Sequence, residues 1–248
     1  MIKKILISQP QPLSEHNPYT KMEEQFGVKF DFRRLIHLEG LDAKEFRQQH
    51  VYLEEYTAVL MNSRVAVDEF FRMSKEVRFQ VPEKMHYYCL SEAIANYLQK
   101  YIQFRKRRVF FAEHNHFDEL LPIMNRRPSE KYLMVVSDVH NDDVINMFKE
   151  HNITIRPAVM YKTLPYQWPK DEPFDYDMVV LFTATGVTAL KQNFPNLKQG
   201  DKVIACFGQA AANAVKEIGI EPDIVAPSAK YPSITAAIED YLNQHNQA

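Results

Sequence analysis

The chain has 248 residues, 46% of them hydrophobic and 25% charged, with a net charge of −2. That length sits near the upper size for one core and fits two domains of ordinary size. Near-neutrality argues against a dedicated nucleic-acid binder, which needs an excess of Lys and Arg, and no apolar stretch approaches the ~20 residues of a membrane span, so a cytoplasmic protein with neither nucleic-acid nor membrane partners is expected.

Strand-like apolar runs alternate with helix-like stretches along the chain, which predicts an α/β fold of mostly parallel sheets flanked by helices. Ile5-Leu6-Ile7 reads as a short buried strand, followed by a Pro-containing loop and a helix from about Tyr19 to Phe26. Val28 to Phe32 alternates as a strand, with Leu35-Ile36 as its continuation. Next come strand Val59 to Met61, helix Val65 to Met73, strand His86 to Leu90, helix Glu92 to Tyr101 and strand Val109 to Phe111. Helix Phe117 to Met124, strand Tyr132 to Val136 and helix Asp143 to Glu150 follow, and the two helices have the spacing of elements packed on a sheet. Ile153 to Ile155 leads through Pro157 into strand Ala158 to Tyr161.

Pro165, Pro169 and Pro173 mark Thr163 to Pro173 as a loop or crossover. Beyond it, strands at Met178 to Phe182, Val203 to Phe207 and Ile224-Val225 alternate with helices at Val187 to Gln192, Ala210 to Ile218 and Ile234 to Leu242. This set has no counterpart of Ile5-Leu6-Ile7 at its own start. The N-terminal βαβ segment is therefore expected to complete the C-terminal sheet, giving one discontinuous domain of residues 1–33 with 164–248 and an inserted domain of residues 36–162.

The two sets look alike. Ala58 to Val67 can be laid on Val179 to Thr188 at an offset of 121, and Cys89 to Asn96 on Cys206 to Asn213 at 117. Each half thus places a strand end, a small-residue turn and a helix start in the same relative position. The first N–H groups of a helix lack intrahelical partners and sit at the positive end of its dipole, so such turns hold carboxylates or phosphates without basic side chains. They also serve simply as caps.

Other constellations read as structural. His114 and His116 fit a solvated loop better than a metal pair; Glu54-Glu55 and Asp142-Asp143 fit helix ends. Arg105-Lys106-Arg107-Arg108 reads as a solvated helix terminus before an anion site. Cys89 and Cys206 read as buried small hydrophobes on separate sheets. No Gly-x-Gly-x-x-Gly, P-loop, nucleophile-elbow Ser or metal-ligand spacing is visible. Tyr161 ends an apolar strand, where a tyrosine commonly caps the core.

Leu181-Phe182-Thr183-Ala184-Thr185-Gly186-Val187, followed by Ile204-Ala205-Cys206-Phe207-Gly208-Gln209-Ala210-Ala211-Ala212 and Ile218 to Val225, resembles the uroporphyrinogen-III synthase family, as does Pro157-Ala158-Val159-Met160-Tyr161-Lys162-Thr163 in the middle. The resemblance implies a monomer of two α/β domains joined by a two-stranded linker with a cleft between them. It implies cyclisation of hydroxymethylbilane, a linear tetrapyrrole with carboxylate side chains, with inversion of the last pyrrole ring and release of water, and with neither metal nor organic cofactor. Loss of the hydroxyl gives an azafulvene cation, which closes through a spiro intermediate and rearranges. Tyr161 matches the family's tyrosine proposed to assist hydroxyl departure. Ser8, Gln9, Thr183, Thr185, Gly186, Gly208, Gln209 and Ala210 are the implied substrate contacts of one domain, and Ser63, Arg64 and Ser91 those of the other. The alternative is a non-catalytic descendant that keeps the bilobed fold as a ligand-binding or interaction module.

Overall fold

A computed structural model describes residues 1–14, 17–200 and 202–246. In chain order the regular elements are β1 (Lys4–Ile7), α1 (Pro18–Phe26), β2 (Lys29–Phe32), β3 (Ile36–Gly40), α2 (Ala43–Arg47), β4 (Ala58–Met61), α3 (Arg64–Glu76), β5 (His86–Cys89), α4 (Glu92–Tyr97) and β6 (Val109–Phe111). They continue with α5 (Leu121–Asn125), β7 (Tyr132–Ser137), α6 (Asp143–Glu150), β8 (Ile155–Pro165), β9 (Met178–Leu181), α7 (Ala184–Asn193), β10 (Val203–Phe207), α8 (Gln209–Glu217), β11 (Ile224–Ala226) and α9 (Ile234–His245). The chain forms two compact units, Met1–His37 with Leu164–Ala248, and Leu38–Thr163.

The first unit holds a five-stranded sheet in the order β11-β10-β9-β1-β2, parallel throughout. Both faces are covered, so its strands are continuous apolar runs rather than alternating ones. Met178 and Val180 join one core with Ile5, Ile7, Ala237, Ile238 and Leu242, while Val179 and Leu181 join the opposite core with Leu6, Val187, Leu190 and Val215. Asn246 clasps the start of the chain, its Oδ1 accepting from the Ile2 N–H at 2.9 Å and its Nδ2 donating to the Ile2 carbonyl at 2.6 Å.

The second unit holds a six-stranded sheet in the order β3-β8-β7-β4-β5-β6, with β8 to β6 parallel. Val59, Met61, Tyr87, Cys89 and Tyr161 pack under α3, and Ala58, Leu60, Tyr88, Tyr132 and Phe148 fill the other face. Along the first part of β8, the Gln49 side chain replaces a strand neighbour: its amide donates to the Val159 carbonyl at 2.7 Å and its Oε1 accepts from the Val159 N–H at 2.8 Å.

Several elements differ from the sequence reading, each for a local reason. Ile36 opens a strand of its own rather than prolonging β2, because pairing with β1 ends where the Arg33 N–H donates to the Ile7 carbonyl. The helix expected over Phe117 to Met124 is a 3-10 turn followed by α5; Pro122 has no N–H to give to an uninterrupted α-helix. Helix Glu92 to Tyr101 is α4 plus a 3-10 turn over Leu98–Lys100. β8 runs unbroken through Thr163 to Pro165, taking in the start of the expected loop. The unpredicted α2 is only five residues long, too short for a periodic signal, yet a capping box between Asp42 and Glu45 sets it.

Candidate active site

Parallel strands bring their carboxyl ends to one edge. In the first unit the strand order reverses between β9 and β1, and in the second between β4 and β7. Open α/β sheets bind ligands outside such a switch point, where the diverging connections leave a crevice.

In the first unit, Ser8 leaves β1 with its N–H donating to the Val180 carbonyl at 3.0 Å, and Gln9 beside it is exposed. Thr183 caps α7, its Oγ1 accepting from the Gly186 N–H at 3.0 Å and lying 3.2 Å from the Thr185 hydroxyl. The Gly186 N–H is thus already engaged, and a Cβ there would lie 3.1 Å from that same oxygen. Gly208 precedes α8 with φ 81° and ψ 156°, backbone territory open in practice to glycine alone, and offers no side-chain cap. The N–H groups of Gln209 and Ala210, both exposed, stand at this bare helix start. Ser8, Gln9, Thr183, Thr185, Gly186, Gly208, Gln209 and Ala210 therefore share one sheet edge.

In the second unit, Ser63 caps α3 through the Ala66 N–H at 3.0 Å, and Ser91 caps α4 through the Ile94 N–H at 3.3 Å. Arg64 is exposed, its guanidinium 5.4 Å over the Tyr97 ring. Tyr161 is set by a β-bulge. Val136 pairs with Val159 but Ser137 with Tyr161, so Met160 is the extra residue. The bulge turns Tyr161 onto the face already taken by Ala158 and Met160, beneath α3 and near Ser63. Burial raises the phenol above its ordinary pKa, with the Ser63 contact acting in the opposite sense and Glu69 raising it further. Tyr161 is 7% exposed and remains a neutral O–H donor.

Asn62 was not singled out by sequence. It lies between the end of β4 and the Ser63 cap, and its Oδ1 is buried without a hydrogen-bond partner among the described residues. A buried acceptor of that kind calls for a ligand or water donor. Only the structure supplies the register: strand pairing sets Met61 beside Cys89 and Leu181 beside Cys206, which fixes the first repeat offset at 120 rather than 121 and gives polar Asn62 the position of Phe182 in the repeat. Ser63 then matches Thr183, cap for cap.

Burial pushes both Cys89 and Cys206 up to about 12, leaving them as thiols. Among the described residues no group of three His, Cys, Asp or Glu could hold a metal ion, and no helix is long and apolar enough to cross a membrane.

Solved structures share this fold. Uroporphyrinogen-III synthetase from Helicobacter pylori is 17% identical over 98% of this chain and 100% of its own, with a TM-score of 0.60. A mutant uroporphyrinogen III synthase from the extremely thermophilic bacterium Thermus thermophilus is 14% identical over 98% of this chain and 99% of its own, with a TM-score of 0.52. A comparison with curated proteins finds no match. The architecture is thus of the α/β class seen in these synthases, parallel sheets flanked by helices. The sequence profile of uroporphyrinogen-III synthase HemD matches residues 21–236, and the chain belongs to that family, a lyase of heme biosynthesis acting on a tetrapyrrole substrate.

Proposed function

We propose that this chain, as a cytoplasmic monomer, closes hydroxymethylbilane to uroporphyrinogen III with Tyr161 as the group that assists departure of the hydroxyl. The observation that carries this assignment is the bulge that turns a buried, neutral Tyr161 beneath α3, near Ser63, whose chain neighbour Asn62 holds an unpartnered acceptor. A phenol of raised pKa donates a hydrogen bond to the leaving oxygen without ionising. With a proton drawn from solvent, the hydroxyl leaves as water and the azafulvene cation forms; its carbon bonds to the substituted α-position of the last ring to give the spiro intermediate, which rearranges and returns a proton to solvent. Since the cation is intrinsic to the substrate, catalysis is mostly orientation. The Asn62 carbonyl suits a pyrrole N–H, and the bare start of α8, with Ser8, Gln9, Thr183 and Thr185 on the same edge, suits substrate carboxylates. Ser91 and Arg64 complete the contacts of the second unit.

The test is to supply enzymatically made hydroxymethylbilane and identify the uroporphyrin isomer after oxidation. Uncatalysed closure gives isomer I; an excess of isomer III over the blank supports the assignment, and no excess leaves the non-catalytic descendant.

A further inference from the structure

A cavity lined by stacked aromatic rings lies away from the strand carboxyl ends. It is about 370 Å³ and sits in the second unit at the amino ends of β5 and β6, the opposite sheet edge from Tyr161. Phe71, Tyr87, Tyr101 and Val109 line it. Tyr101 stacks on Phe71 at 4.4 Å and 9°, and Phe71 on Tyr87 at 6.3 Å and 28°, so the rings form a layered slab. The Tyr87 hydroxyl has no hydrogen-bond partner among the described residues, and burial, opposed by the nearby Arg108 charge, pushes it up to about 12.

The basic run supplies the rim. Arg105 to Arg108 is a turn, closed by the Arg108 N–H on the Arg105 carbonyl at 2.8 Å, which brings the first and fourth side chains together. Those two arginines are half-buried and line the cavity, while Lys106 and Arg107 are exposed. Arg105 is held by Gln103 at 3.3 Å and loosely by Glu83 at 3.7 Å, a residue whose side chain is 86% exposed. Arg108 has no ion-pair or hydrogen-bonding side-chain partner among the described residues. Two guanidiniums at the lip of an aromatic slot match a flat ring and its carboxylate at once, the ring stacking on the slab and the carboxylate taking the arginine fork. The volume, at the small end of ligand pockets, suits one or two fused rings.

We propose that this cavity is a second binding site, distinct from the strand-end site, for a planar aromatic carboxylate. The full chain is titrated with β-naphthoate by calorimetry, alongside the uncharged isostere β-naphthamide. Single-site binding is expected, weakened about tenfold or more by Arg108→Gln and to a similar degree by the amide, since each removes a charge-assisted hydrogen bond. Glu83→Gln, which frees Arg105, tightens it severalfold. Thr183→Ala and Ser63→Ala leave it unchanged, with melting temperatures confirming that every variant is folded. The absence of saturable binding at millimolar β-naphthoate overturns the proposal. So does equal affinity for the amide, or binding lost in Thr183→Ala and retained in Arg108→Gln.

Discussion

The two units carry the same five parallel strands in the same spatial order, yet use them differently. β4, β5 and β6 of one match β9, β10 and β11 of the other, and β7 and β8 match β1 and β2, which precede the second unit in the chain. At matching helix starts the second unit closes its donors with Ser91, whereas the first leaves them open behind Gly208. The interiors differ too: Tyr87, Tyr88, Tyr132 and Tyr161 lie buried in the second sheet, and of the phenols only Tyr176 lies fully buried among the described residues of the first unit. The difference is confined to this one pair of helix starts, since Thr183 caps α7 just as Ser63 caps α3.

The largest expected effect is on alkaline stability. Burial holds Tyr87 at about 12 and raises Tyr88, Tyr132 and Tyr161 above the ordinary tyrosine value of 10.0. The unfolded chain therefore releases these protons first, so the stability they contribute is complete below about pH 10 and is lost as pH rises toward the folded values, at roughly 1.4 kcal/mol per pKa unit for each group. The first unit carries fewer such phenols, Tyr19, Tyr176 and Tyr241, against Tyr56, Tyr87, Tyr88, Tyr101, Tyr132 and Tyr161 in the second, so the second unit should unfold first. Trp168, the one tryptophan of the sequence, lies in the first unit, so circular dichroism should fall at lower pH than the Trp168 emission shifts; coincident transitions would remove the distinction.

Next in size is Gly208→Ala. The positive φ makes any side chain there strained by about 1–3 kcal/mol, and the variant should melt several degrees lower and show a raised KM for hydroxymethylbilane. Tyr161→Phe should lower kcat about tenfold, less than the usual ~10²–10⁴-fold of general-acid assistance because this leaving group is already reactive, with little change in melting temperature. A Phe variant with full turnover per folded molecule and a lowered melting point would make Tyr161 a core residue only. The smallest effects compare the caps. Ser63→Ala and Ser91→Ala should each cost about 1 kcal/mol of stability, but Ser63→Ala alone should slow turnover, because of the two only Ser63 lies near Tyr161. Equal kinetics in the two variants would detach Ser63 from the chemistry.

The α/β class was legible because strands buried on both faces leave unbroken apolar runs, and the caps were legible because Ser63, Ser91 and Thr183 are small hydroxylated residues before helical patterns. Register was less so. Val, Leu and Met substitute freely in a buried strand, so nothing in Ala58 to Met61 fixed its alignment on Met178 to Leu181, and the repeat slipped by one. The bulge at Met160 left no mark in the sequence, since it depends on how β7 and β8 pair; Tyr161 therefore read from its residues as an ordinary core tyrosine. The separation of Arg105 and Arg108 from Lys106 and Arg107 was likewise invisible, because a turn and not a helix end carries them.

The clasp between Asn246 and Ile2, together with the place of β1 beside β9, bears on how the chain is made. β1 and β2 leave the ribosome with one edge unpaired, and their neighbour β9 emerges only after the whole of the second unit. That unit has every strand of its own core in one contiguous stretch, so it can fold during synthesis while β1 and β2 wait. Through that interval Leu6 lacks α7 and α8, and Ile5 and Ile7 have α1 but not α9 over them, so the apolar faces of the first sheet stay partly open until the chain is finished.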